Sequence, residues 1–122
     1  MSQKHGIERR KHPRLSHNIP LKIWHEDGDI VTKTGNISRS GAYCQVNKYI
    51  APMTKLKINF LLPVKKNGKT SSKKISCEGA VVRADQLGGN DYCLAIFFSD
   101  ISQRDADAIA DYVSLALEQQ SN

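Results

Sequence analysis

From Asn18 onward the chain alternates. Ile19, Leu21 and Ile23 are spaced by Pro20, Lys22 and Trp24, and the same period of two returns at Ala42, Cys44 and Val46, at Leu56, Ile58, Phe60 and Leu62, and at Ile75, Cys77, Gly79 and Val81, before a last run "DYCLAIFF". An apolar period of two puts those side chains on one face of an extended strand, whereas a helix repeats its apolar residues every three or four positions. Turn signals bound the runs. The Asp27-Gly28 pair in "HEDGDI" turns the first strand into an antiparallel second strand through Ile30 and Thr32, and "QLGGND" turns the fifth into the sixth. The stretch from Val31 to Ile37 is thin in apolar residues and is interrupted by Gly35, a mark of a bulge or a close backbone approach. Six short strands expose two edges unless they close, so the predicted fold is all-β, a six-stranded antiparallel β-barrel.

Helical period enters only at the end. In "SQRDADAIADYVSLALEQQ", Ser102 stands three residues before Asp105 as in a capping box, and Ala106, Ile109, Ala110, Val113, Ala116 and Leu117 share one face. The spacing predicts a C-terminal helix from about residue 102, covering an open end or side of the barrel. The loop "PVKKNGKTSSKK" carries five lysines around Asn-Gly and Ser-Ser, the composition of a solvated hairpin tip. The expected organisation is a flexible basic arm over residues 1–17 and a barrel with its helix over 18–122.

Charge narrows the partner classes. The net charge is +6, and four of the 18 basic residues, Arg9, Arg10, Lys11 and Arg14, crowd into "ERRKHPRL". An anion is drawn to that end. Asp100, Asp105, Asp107, Asp111 and Glu118 make the last segment acidic, which argues against a general nucleic-acid coat. No apolar run follows the first charges as a secretory signal requires, and none approaches the roughly 20 residues of a membrane span, so a cytoplasmic protein starting near Met1 is expected. Cys44, Cys77 and Cys93 lie far apart in alternating segments and read as buried reduced thiols. His5, His12, His17 and His25 have no ligand spacing, so no metal is expected.

Two segments carry the chemistry. In the first, the guanidinium forks of Arg10 and Arg14 suit phosphate oxygens and the O6/N7 edge of guanine, and Pro13 keeps the stretch between them out of a helix. In the second, "NISRSGAYC", a polar loop offers the Asn36 amide, the Ser38 hydroxyl and the bare backbone of Gly41, a set able to hold a purine or simply to make a solvated glycine turn. Only 21 residues separate Arg14 from Asn36.

Together the segments resemble the PilZ domain family of bacterial cyclic di-GMP receptors, whose pattern RxxxR followed by [DN]xSxxG reads here as "RKHPR" and "NISRSG". "GAVVRA" and "YCLAIFF" look like the family's fifth and sixth strands. The resemblance implies a non-catalytic receptor that binds cyclic di-GMP through Arg10, Arg14, Asn36, Ser38 and Gly41 and changes conformation to regulate a downstream protein partner. It implies no cofactor. It also implies a role for Arg9, which precedes the motif where family members with a further arginine take a stacked pair of ligand molecules. Asn36 stands where many members have Asp, one acceptor short of a carboxylate's grip on guanine. Arg83, at the end of the fifth strand, is a further candidate, though strand ends commonly carry exposed arginine. The rival class is a small basic β-barrel binding RNA or single-stranded DNA through the same arm with Trp24 or Tyr49, although no platform of closely spaced rings is evident. A PilZ module that binds only protein is a third reading. No triad or carboxylate pair for an enzyme can be assembled.

Overall fold

The computed structural model describes residues 13–26 and 28–120. Its strands are β1 (Pro20–Trp24), β2 (Ile30–Ser38), β3 (Gly41–Val46), β4 (Lys55–Lys66), β5 (Lys69–Gly88) and β6 (Asp91–Asp100), followed by one helix, α1 (Gln103–Gln120). The strands close antiparallel as expected, and their order is β1-β2-β3-β6-β5-β4. Leu21 and Ile23 point inward while Pro20, Lys22 and Trp24 point out, and the inward residues of the other strands, among them Ile37, Cys44, Ile58, Leu62, Ile75, Val81 and Leu94, fill a single core.

Irregularities shape this barrel. The register of β2 against β3 shifts between Thr34 and Asn36, so Gly35 does mark a bulge. Three more shifts bend β5 along β6, one of them between Val81 and Arg83. The Asn67-Gly68 turn, with φ of 55° and 78°, has the doubly left-handed form that matches the twist of a two-residue hairpin. Its strands run well past the sheet. β1 pairs with β4 only from Lys57 to Phe60, and β6 pairs with β5 only from Glu78 onward, so Leu61–Lys66 and Lys69–Lys74 form a two-stranded ribbon carrying all five lysines of the loop. The loop expected at residues 63–74 is therefore mostly strand.

The helix begins where expected. The Ser102 side chain accepts the Asp105 N–H at 3.1 Å, capping the first turn, and Ala106, Ile109, Val113 and Ala116 are buried against the barrel. Cys44 and Cys77 are buried, and burial pushes both thiols up to about 12. Cys93 departs from the expectation. It lies between the inward positions of β6, opposite Gln45, and is only half-buried.

Candidate functional site

The chain enters the barrel earlier than its alternation begins. Leu15 exchanges both backbone hydrogen bonds with Ile37, each 2.9 Å, and both side chains are fully buried. Continuing this antiparallel register sets Arg14 at the level of Ser38. Thr34 then fixes the next three residues. Its backbone N–H donates to Ile19 O at 3.0 Å, its hydroxyl donates to His17 O and accepts from Ile19 N–H at 2.9 Å, and Asn18 donates to its carbonyl at 2.7 Å. A buried hydroxyl is tolerated there because it is bonded on both sides. The last residues of the predicted arm, from Leu15 to His17, are thus packed into the domain, while its first twelve lie outside the described residues.

Four of the six predicted ligand residues are placed; Arg9 and Arg10 fall outside the described residues. Asn36 follows the bulge, opposite Tyr43, and is half-buried. Its Oδ1 is the buried side-chain oxygen that has no hydrogen-bond partner among the described residues. An acceptor in that condition costs about 1–3 kcal/mol until a donor reaches it. Ser38 differs from the expectation of a loop hydroxyl. It is the last residue of β2 and fully buried, and its Oγ accepts the Ser40 N–H at 3.2 Å and donates to Gly41 O at 3.4 Å. It holds the two-residue turn at Arg39-Ser40. Gly41 has a packing reason of its own, since a Cβ there would sit 2.1 Å from the Ile96 carbonyl oxygen on the neighbouring strand.

The structure adds one residue that the sequence reading missed. Tyr43 lies at an outward position of β3, opposite Ala95 of β6, which in turn lies opposite Arg83 of β5. The row brings three strands to one ring. The Arg14 guanidinium stands 5.2 Å from the Tyr43 centroid and that of Arg83 stands 5.7 Å from it, both within cation–π range. Arg83 also donates to Tyr43 Oη at 3.4 Å and, through Nε, to Asp85 at 2.7 Å. The Asp85 hydrogen bond and charge stabilise the protonated guanidinium of Arg83. Arg14 has no ion pair among the described residues. Two guanidiniums with one carboxylate leave the face electropositive, with planar groups to stack on and an acceptor, Asn36 Oδ1, in want of a donor. The available signal was an aromatic at the polar phase of "GAYCQV" beside a small Ala95.

The sequence matches the PilZ domain profile over residues 8–115. The chain belongs to the PilZ domain family. Solved structures show the same fold. The Bacillus subtilis inhibitor of motility MotI/DgrA superposes with a TM-score of 0.81 at 20% identity, over 93% of this chain and 54% of that one. This PilZ domain therefore spans about half the length of MotI/DgrA. The PilZ domain of YcgR from Escherichia coli, solved with c-di-GMP, gives 0.64 at 11% identity over 93% and 94% of the two chains, and Borreliella burgdorferi PlzA in complex with c-di-GMP gives 0.53 at 17% over 92% and 44%. A search of curated proteins finds no match. No helix among the described residues is long and apolar enough to cross a membrane.

Proposed function

We propose that this PilZ domain is a receptor for cyclic di-GMP and that binding is relayed to a downstream protein. The observation that carries the reading is the pairing, on one face, of the Arg14 guanidinium over Tyr43 with the orphaned Asn36 Oδ1. Guanine offers N–H donors to such an acceptor, a flat ring to the guanidinium plane, and phosphates to its N–H fork. Ser38 and Gly41 support the face by fixing the turn and the close β3–β6 approach. Arg10 and Arg9 precede Arg14 by four and five residues and supply further guanidiniums to the same anion.

Calorimetric titration with cyclic di-GMP beside GTP, cyclic di-AMP and a short RNA tests the assignment. Selective binding of cyclic di-GMP, weakened roughly thirtyfold in Arg14→Ala, is the expected result. RNA binding of equal strength would overturn it in favour of a nucleic-acid barrel.

A further inference from the structure

Away from the nucleotide face, the lysine ribbon and α1 enclose a groove of about 660 Å³. Ala108, Tyr112, Leu115, Ala116 and Gln119 line it from the helix, at spacings of three and four that keep one stripe. The stripe covers twelve residues, whose eleven steps of 1.5 Å span roughly 16 Å of helix. Pro63, Val64, Lys65 and Thr70 line it from the ribbon. Leu115 is 50% exposed, although it lies on a helix whose other side already serves the core.

The two edges differ in charge. Lys65, Lys66 and Lys69 are exposed and have no ion pair among the described residues; Lys73 reaches one of those residues' carboxylates, Asp105, at 3.7 Å. The helix edge carries Asp111 in the groove, with Asp107 one turn before it already paired to Arg39. A nucleic-acid backbone or an anionic bilayer would meet repulsion along that acidic edge, and a flat bilayer cannot fill a concave groove. A helix with an apolar stripe and carboxylates on one flank fits both edges, because stripes at this spacing interdigitate between helices and the lysines then gain partners.

We propose that this groove docks an acidic amphipathic helix of a partner protein. The groove is also joined to the nucleotide face on both sides. His17, three residues after Arg14, lines it and its Nδ1 lies 2.6 Å from Tyr112 Oη, while Arg39, inside "NISRSG", pairs with Asp107. The docking stands on the groove alone; its value as a readout of cyclic di-GMP rests on the function proposed above.

The test is selection of a displayed library of randomised helical peptides, about 16 residues long, against the intact protein. Enriched peptides are expected to carry Asp or Glu beside an apolar i, i+3, i+4 stripe. Their affinity should fall tenfold or more in Leu115→Asp and, separately, in the double variant Lys65→Glu/Lys69→Glu. Both variants alter exposed positions, and thermal melting should match the parent. No enrichment, enrichment of basic peptides, or equal affinity for the variants would overturn the proposal. So would binding of phosphatidylglycerol vesicles or a short RNA that the same variants abolish. Calorimetry with cyclic di-GMP on Leu115→Asp separates the two readings: unchanged nucleotide binding with lost peptide binding supports the groove, and a parent that binds peptide but no nucleotide refutes the receptor reading and leaves the groove intact.

Discussion

At the scale of single residues, the polar positions do not all serve the same end. Arg14 and Asn36 present unsatisfied chemistry, whereas Ser38 and Gly41 of the same motif are consumed by the barrel. Two different phenotypes follow. Arg14→Ala should keep the melting temperature and weaken cyclic di-GMP by about 2 kcal/mol, roughly thirtyfold, the scale of losing a charge-assisted contact at an interface. Gly41→Ala should instead unfold the protein more readily, by about 1–3 kcal/mol in urea denaturation, because the Ile96 carbonyl cannot yield 2.1 Å without breaking the β3–β6 ladder. Thr34→Val conserves shape but strands the Ile19 N–H and His17 carbonyl, and should cost a similar amount. The thiols predict a pH dependence. Folded Cys44 and Cys77 titrate near 12 against an ordinary value of 9.0, so the folded state holds protons that the unfolded chain has released between those limits. Their contribution to stability is complete below pH 9 and is lost as pH rises toward 12, which denaturant midpoints measured across that window would show. None of this division was visible in the motif itself: whether a serine hydroxyl faces a ligand or its own turn depends on where β2 ends.

Elements were far more legible. Period-two alternation together with the turn signals located all six strands, and Gly35 in a thin strand announced the bulge that precedes Asn36. The helix was readable from Ser102 and its apolar stripe, since both are local signals. Ser102→Ala should therefore fray the first turn and cost about 1 kcal/mol, with the loss of protection at Asp105 and Ala106 seen by amide exchange. The overhang of the β4–β5 ribbon was not readable. Lysine, serine and threonine there have loop composition, and only cross-strand pairing from Leu61–Lys74 to Lys66–Lys69 makes them strand. Leu15 was likewise placed in the arm because no alternation surrounds it, while its burial depends on Ile37, far along the chain. Signals within a few residues survive in sequence; pairings across the barrel do not.

As a whole, the molecule is a closed barrel that leaves one face electropositive and another grooved, with the chain from Arg14 to His17 connecting them. The β3–β6 pairing is what assembles the first face: β5 and β6 are already neighbours as a hairpin, and Tyr43 meets Arg83 across Ala95 because β3 docks on the other edge of β6. A stacked pair of cyclic di-GMP molecules has twice the phosphate charge of one, and the proposal that Arg9 serves such a pair is open to titration. Titration should accordingly approach two ligands per chain, and Arg9→Leu should lower the ratio toward one while Lys11→Ala leaves it unchanged. The most direct test of the central claim is a backbone and side-chain amide NMR titration with cyclic di-GMP. The account predicts that the Asn36 side-chain amide, the backbone from Ser38 to Tyr43 and the Arg83–Ala95 pair shift together while β1 and the lysine ribbon stay put. Shifts centred on the ribbon or on Trp24, with Asn36 and Tyr43 unmoved, would contradict it.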